Sequence, residues 1–172
     1  RGAGGAGMYA AISAADRGAN VLLVDRSLVG RGGATVMAQM TVAAAIGQQE
    51  PDDWTRHLAD TITAGRGICN ESLSVLVCRD APARILELDT WRIGWAREHG
   101  RIRQIAAPGH SRRRCVYVDY LNTGPALATT LTRQVARDQR IHRISNLAVV
   151  DLLINTGHVA GALALNLVTG QP

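Results

Sequence analysis

The sequence contains neither lysine nor phenylalanine, so its 19 basic residues are all arginine and its few aromatic residues are tryptophan and tyrosine. We attribute the missing lysine to a compositional bias of the source. No run of about 18 apolar residues is present, which predicts that the chain does not insert directly into a membrane. With 47% hydrophobic and 19% charged residues, the composition also excludes a disordered, collagen-like or coiled-coil protein. The 172 residues therefore predict a compact chain of about one domain.

Cysteine and histidine are sparse, and their spacing indicates no reactive or metal-binding motif. The three cysteines form no C-x-x-C pair, and no secretory leader precedes them, so we expect reduced thiols that serve in packing and a cytoplasmic location. The five histidines lack H-E-x-x-H or H-x-x-x-H spacing, which argues against a metal site.

The net charge of +5 is concentrated in one segment, residues 97–114, where six arginines accompany a single acid, Glu98. Such a segment could bind nucleic acid, but neither helix-turn-helix spacing nor an aromatic stacking strand accompanies it, so we expect no nucleic-acid partner. Runs of charge are usually solvated. We expect the cluster Arg112–Arg114 to form an exposed loop or a subunit contact, and the sequence does not decide between them.

The first half of the chain predicts one helix, one buried strand and then further helices. A helix is expected from about residue 7 to residue 17, followed by a strand at Val21–Val24, whose continuous apolar run is typical of a parallel sheet. A helix is also expected near residues 37–45. Proline and capping residues predict the later helices, at 51–64, from Asn70 to a break at Pro82, and at 83–89.

The second half predicts a return to strands after one more helix. Residues 93–116 show no periodicity, so we expect loops there with a brief strand at 115–118. A helix follows at 123–137, and two strands at 147–154 and 159–168 flank a turn in which Gly157 permits a positive φ.

Glycines at the start of the chain form a G-x-G-x-x-G pattern directly before the first helix. In this motif Gly2 makes a tight turn, Gly4 lets a pyrophosphate approach the backbone and Gly7 lets the helix pack closely. Asp25 follows Gly7 by 18 residues at the end of the first strand, where a carboxylate can accept ribose hydroxyls. The pattern predicts a dinucleotide site, although it does not distinguish NAD from FAD. We expect the strand that normally precedes it to lie outside this sequence.

Several separated motifs resemble the flavoprotein subunits of succinate dehydrogenase and fumarate reductase, a family that includes L-aspartate oxidase and adenylylsulfate reductase. The similarity covers nearly the whole chain and is carried by GAGGAG at 2–7, TVMAQ at 35–39, DDWTRHLADT at 52–61, ILEL followed by Trp95 and Arg97, TGPAL at 123–127, and VVDLLINTGHVAGALALNL at 149–167. This resemblance implies FAD as cofactor and an α/β fold. That fold is a Rossmann-like FAD-binding domain of the glutathione-reductase type, with inserted helices and a C-terminal β-hairpin or meander.

The resemblance also implies which residues contact FAD. The glycine-rich loop would hold the pyrophosphate, the end of the first strand would lie at the adenosine ribose, and the segment 31–41 would run past the pyrophosphate and the isoalloxazine ring. Asp151 falls where the family places a residue beside the adenine. The candidate residues are Gly2, Ala3, Gly4, Gly5, Ala6, Gly7, Asp25, Arg26, Ser27, Arg31, Gly32, Gly33, Ala34, Thr35, Gln39, Met40, Thr41 and Asp151.

Two departures from the family pattern matter. Ala34 stands where respiratory members carry the histidine that bonds to the flavin, so we expect noncovalent FAD. The family's catalytic histidines and arginine lie in a capping domain that we expect beyond these 172 residues, so we assign no catalytic residue and no metal ligand. The chain would then be a partial FAD-binding domain, inactive alone.

The parent enzyme is expected to interconvert succinate and fumarate, with the dicarboxylate bound through the capping domain. An iron-sulfur subunit could be a partner and could hold the protein at the cytoplasmic face of a membrane. L-Aspartate oxidase also lacks the covalent histidine and is an alternative. A noncatalytic nucleotide-binding module is an alternative of a different class.

Overall fold

The computed structural model describes residues 2–171 and shows a mixed α/β chain. Its contacts divide it into two units, one of residues up to Ala38 and from Leu127 onward, the other of Gln39–Ala126. Four α-helices are present in the described residues: α1 (Gly5–Asp16), α2 (Trp54–Gly65), α3 (Glu71–Thr90) and α4 (Thr123–Arg137). Eight strands accompany them: β1 (Val21–Val24), β2 (Val42–Ala43), β3 (Arg97–Glu98), β4 (Arg101–Ile102), β5 (Cys115–Val116), β6 (Ile141–Ile144), β7 (Leu147–Asn155) and β8 (His158–Asn166).

The first unit is built on a parallel pair of strands, β1 and β6, in register from Val21 opposite Ile141 to Val24 opposite Ile144. Small residues on α1 pack closely, since Ala11 and Ala15 are buried beside the fully buried Met8. The buried apolar positions on α4 include Ala128, Leu131 and Val135. This core fixes the end of β1 relative to the start of α1.

A long antiparallel hairpin, β7 and β8, follows β6 in the same unit. Its turn is confirmed, with Gly157 at φ +81. Apolar side chains are exposed on both faces of the hairpin, because consecutive residues such as Leu152, Leu153 and Ile154 are each more than half accessible.

The second unit contains α2, α3 and three short ladders, in which β2 pairs with β5, β3 pairs with β4, and Ile105 pairs with Cys115. Asn70 caps α3 as predicted, because its side chain accepts a bond from Leu73 N. Helix α2 begins three residues after the predicted start at 51, since the side chain of Asp53 accepts bonds from Thr55 N and Arg56 N and caps the helix instead of lying in its first turn. Trp95 is buried and its Nε1 donates to the carbonyl oxygen of Ile85 at 3.2 Å.

Two predicted features of this region are wrong. Residues 37–45 do not form a helix, because a 3₁₀ turn at Thr35–Met37 is followed by β2, whose pairing with β5 replaces helical hydrogen bonds. Pro82 does not end a helix, since it lies inside α3. Continuing the helix through the proline keeps Cys78, Ile85 and Leu88 on one buried stripe.

The remaining differences concern short strands with weak sequence signals. The helix at 123–137 and the hairpin strands are confirmed, and the strand expected at 115–118 is present as β5. Sequence patterns did not predict β6, because His142 and Arg143 interrupt its apolar residues. No helix within residues 2–171 has both the length and the hydropathy needed to cross a bilayer.

Candidate cofactor site

The N-terminus of α1 is left open, in contrast to those of α2 and α3. Gly4 is the residue at the cap position, in extended conformation, and among residues 2–171 no side chain forms a capping hydrogen bond at this helix end. Free amides and the positive end of a helix dipole favour an anion at such a position. One first-turn amide has a partner, since Gly5 N donates to Thr35 Oγ1 at 3.2 Å.

The glycines of the loop differ in the space around them. A Cβ on Gly2 would lie 2.6 Å from Asp25 Oδ2, one on Gly5 would lie 2.5 Å from Thr35 Oγ1, and one on Gly7 would collide with the carbonyl oxygen of Gly2. At Gly4 the nearest protein atoms would be 3.7 Å away, on residues 32 and 33. Three of these glycines are therefore required by the protein's own packing, while Gly4 borders a space that a ligand could fill. We call this space, bordered by Gly4 and by residues 32 and 33, the cradle. It would let a pyrophosphate approach the backbone.

Asp25 joins the end of β1 to the glycine loop. Its side chain is only 6% exposed; Oδ2 accepts a hydrogen bond from Ala3 N, and Oδ1 accepts from both the amide and the hydroxyl of Ser27 at 2.8 Å. Burial alone would raise the pKa of Asp25, but these hydrogen bonds and the nearby Arg26 hold the pKa below its usual value. The carboxylate is thus charged at neutral pH. Its contact with the ribose remains a prediction.

The second glycine-rich segment lies against the first. Gly30 N donates to the carbonyl oxygen of Ala3 at 3.2 Å, and Gly33, with φ +83, is so close to Gly4 that an added Cβ would lie 3.4 Å from its Cα. Arg31 and Ala34 are exposed beside this contact. The structure therefore brings the predicted residues 31–35 to the loop 2–7.

The structure shows other contacts for the remaining predicted residues. Gln39, Met40 and Thr41 belong to the second unit, where Met40 has φ +65, donates from N to the carbonyl oxygen of Tyr120 and accepts from Thr123 Oγ1. Asp151 is exposed on β7, and its Oδ1 accepts from the amide of Leu152. Their contacts with FAD remain predictions.

Sequence reasoning missed two residues that hold the loop after β1. Ser145 Oγ accepts from Val29 N at 3.3 Å, and Asn146 N donates to the carbonyl oxygen of Ser27 at 3.0 Å. Both follow β6, more than 110 residues downstream in the sequence. No local pattern links them to the glycine motif, since the parallel pairing of β1 with β6 brings them there.

The exposed loop expected at Arg112–Arg114 is wrong for Arg114, whose side chain has no accessible surface. Its guanidinium forms a bidentate contact with Asp52 at 2.9 and 3.1 Å and a third bond with Asp60 Oδ2 at 2.6 Å. The acids that neutralise it lie more than 50 residues earlier. Both acids lie in the DDWTRHLADT segment, where Asp52 was interpreted only as part of a helix start and Asp60 was given no role of its own.

These features define a nucleotide-binding α/β domain. They are a parallel pair of strands, a helix N-terminus without a cap that follows close-packed glycines, and an acid at the end of the strand. No group of three or more metal-ligating side chains suited to a metal ion was found among residues 2–171. The family model described as an FAD binding domain matches residues 2–172. The chain belongs to this family of FAD-binding domains, and FAD is its cofactor.

Similar proteins are oxidoreductase flavoproteins. The chain is 31% identical over 180 residues to the succinate dehydrogenase flavoprotein subunit of Rickettsia bellii, covering 99% of this chain and 30% of that protein. It is 30% identical over 165 residues to the L-aspartate oxidase of Mesorhizobium japonicum, covering 95% of this chain and 31% of that protein. A structure of E. coli quinol fumarate reductase superposes with a TM-score of 0.86 at 29% identity, covering 96% of this chain and 28% of that one. The chain therefore spans about 30% of the curated relatives it matches, and its fold is that of their FAD-binding region.

Proposed function

We propose that the chain is the FAD-binding part of a larger flavoprotein that interconverts succinate and fumarate. The observation that carries this proposal is the similarity to a succinate dehydrogenase flavoprotein subunit along 99% of the chain. The open cradle at Gly4 supports it, because the space borders the helix end where a pyrophosphate would bind. In the parent protein, a capping domain outside these residues would bind the dicarboxylate.

The contribution of this chain is to bind and orient FAD. Residues 2–7 would hold the pyrophosphate, residues 25–27 would lie at the ribose, residues 31–41 would run towards the isoalloxazine ring, and Asp151 would lie near the adenine. When bound, FAD supplies hydride transfer to or from a dicarboxylate carbon. The role of the protein groups named here would be to position the cofactor.

Substrate reduction of the flavin tests the proposed reaction. Anaerobic addition of succinate to the full-length FAD-loaded protein should bleach the flavin absorbance, and fumarate should restore it. Bleaching by L-aspartate without bleaching by succinate would favour L-aspartate oxidase, the alternative supported by 30% identity. An apoprotein that binds NAD but not FAD would support the nucleotide-binding module instead.

FAD is expected to be held without a covalent bond, because Ala34 offers no imidazole to the flavin. Acid precipitation of the full-length holoprotein should therefore leave the pellet colourless and the yellow flavin in the supernatant. A yellow pellet after washing would show a covalent bond and contradict the expectation. A succinate dehydrogenase flavoprotein with covalently bound flavin serves as the control.

Asp25→Asn is expected to lower the free energy of unfolding by roughly 1–3 kcal/mol and to weaken FAD binding about tenfold. If the side-chain oxygen of the new asparagine faces Ser27, its NH₂ group faces the backbone N–H of Ala3. Two hydrogen-bond donors then face each other, and the N–H of Ala3 loses its acceptor. Since the folded-state pKa of Asp25 is lowered, the wild-type advantage is present at neutral pH and is lost as the pH falls through that pKa.

The measurement for Asp25→Asn is a fluorescence titration of the full-length apoprotein with FAD, combined with urea unfolding at pH 7. Asp16→Asn is the matched control, because Asp16 is an exposed acid at the end of α1. Its effect should stay within about 0.5 kcal/mol. Equal effects of the two substitutions would contradict a special role for Asp25.

The partners of the proposed enzyme follow from its class. The matched succinate dehydrogenase relative is a flavoprotein subunit, so we propose an iron-sulfur subunit as electron-transfer partner and a location in the cytoplasm, at the cytoplasmic face of a membrane when assembled. Copurification of the tagged full-length protein with an iron-containing subunit tests this. Isolation of the flavoprotein alone under conditions that preserve such complexes would contradict it.

A further inference from the structure

A cluster of three charged side chains in the second unit, Asp52, Asp60 and Arg114, holds the loop of residues 107–113 against helix α2. Arg114 directly follows this loop and binds Asp52, which precedes α2, and Asp60, which lies on α2. Within the loop, the amide and hydroxyl of Ser111 both donate to Asp60 Oδ2 at 2.8 Å. Oδ2 of Asp60 thus accepts hydrogen bonds both from Ser111 of the loop and from Arg114.

Two histidines lie against this cluster. The ring of His110, in the same loop, is 5.7 Å from the ring of His57 on α2, measured between centroids. His110 Nδ1 is 3.5 Å from Arg114 Nη1. Because an arginine can only donate, Nδ1 of His110 must accept, so the imidazole is neutral with its proton on Nε2. His57 is 6% exposed, and its Nδ1 has no hydrogen-bond partner within the part of the chain that the structure describes.

Three charged side chains, two aspartates and one arginine, act on the two rings, and the pKa-lowering effect of Arg114 on each ring exceeds the raising effect of either aspartate. Asp52 and Asp60 face them from the start and the body of α2, and Arg114 faces them from the segment before β5. Helix α3 contributes the thiol of Cys78, which with His57 lines a cavity of about 470 Å³. Asp52 and the Oδ2 atom of Asp60 are already bound to Arg114 and Ser111, so a proton added to His110 at Nδ1 faces the guanidinium at 3.5 Å.

We propose that His57 and His110 form an acid-sensitive latch whose protonation releases the loop 107–113 from α2. A proton taken up by His110 at Nδ1 removes the acceptor for Arg114 and places two cations side by side. A proton on His57 adds a further cation in a buried position, where an unpaired charge is costly. Release of the loop exposes the rings to water and relieves both interactions.

The direction of the titration agrees with this geometry. Burial and then the charge of Arg114 lower the pKa of His57 and of His110, and the two aspartates offset this only in part. In the released state the two histidines are expected to have pKa values near the ordinary 6.5. The protein therefore binds more protons in the released state than when the loop is held against α2. Acidification below about pH 6.5 therefore favours release, and the effect grows until the fastened form itself becomes protonated.

Hydrogen exchange of the full-length FAD-loaded protein tests the latch. Amides of residues 107–113 should lose protection about tenfold between pH 7.5 and pH 5.5, after correction for the intrinsic pH dependence of exchange. Peptides from β1 should show no such loss. The proposal is overturned if the loop keeps its protection at pH 5.5 or if β1 loses protection to the same degree.

Two variants separate a latch from a merely structural contact. In His110→Asn the side-chain oxygen can replace Nδ1 as acceptor but cannot titrate, and His57→Leu removes the second titrating ring. The double variant should keep the loop protected at both pH values, whereas His99→Asn, at an exposed histidine of the β3–β4 turn, should retain the wild-type pH dependence. Loss of protection in the double variant at pH 7.5, or an undiminished pH dependence in it, would overturn the proposal.

Discussion

Arg114→Met is expected to lower the free energy of unfolding by about 3–5 kcal/mol, the largest effect of any single substitution considered. The arginine has no accessible surface, and neither has the Asp52 side chain that it binds through two hydrogen bonds. Methionine fills similar space but leaves Asp52 without its cation and Asp60 with only Ser111. A buried carboxylate that loses its cation still has the full free-energy penalty of desolvation, and no ion pair then offsets that penalty.

Arg97→Met provides the matched control, because it removes the same kind of contact from the surface. Arg97 binds Asp89 with both carboxylate oxygens at 2.7 Å, but the arginine side chain is 47% exposed. Solvated pairs of this kind contribute about 1 kcal/mol or less. Urea unfolding of both variants, followed by far-ultraviolet circular dichroism, gives the comparison. Equal losses would show that burial does not set the contribution of Arg114.

Gly4→Ala is expected to weaken FAD binding about 100-fold, or about 2.7 kcal/mol, while leaving the apoprotein folded. The added methyl group meets no protein atom closer than 3.7 Å, and the negative φ of Gly4 suits alanine. The methyl group would therefore occupy the space in which we propose that the pyrophosphate binds. Loss of glycine's backbone freedom in the unfolded chain should even raise stability slightly.

Gly7→Ala distinguishes this effect from a packing effect. There the new Cβ would collide with the carbonyl oxygen of Gly2, so both the stability of the apoprotein and its FAD binding should fall. Gly161→Ala on β8, with its nearest contact at 3.4 Å, should change neither. The measurements are calorimetric titration with FAD and thermal unfolding of each apoprotein. Unchanged FAD affinity in Gly4→Ala would refute the assignment of the cradle.

Sequence patterns predicted the elements whose signals are local. The predicted cap at Asn70 is fixed by a bond to an amide three residues away, the start of α2 was predicted to within three residues, and the apolar run of β1 is continuous. The glycine motif predicted the open end of α1, because its chemistry is contained in six successive residues. In these cases one stretch of chain contains both the group and its partner.

Features that depend on distant partners were missed. Pro82 indicated a helix end, yet the buried stripe on both sides of it keeps α3 continuous. The run of arginines suggested solvent exposure, but Asp52 and Asp60 bury its last member. Likewise, Ser145 and Asn146 reach the loop after β1 only because β6 pairs beside that strand. Tertiary packing determines all three outcomes.

The hairpin of β7 and β8 has a consequence for handling the protein. Two nine-residue strands that expose valine, leucine and isoleucine on both faces, with no proline between Leu147 and Asn166, offer edges that other chains can pair with. We therefore expect self-association through this hairpin when these 172 residues are produced alone at high concentration. Replacing the exposed Ile154 with lysine would place a charge on the hairpin and reduce such self-association.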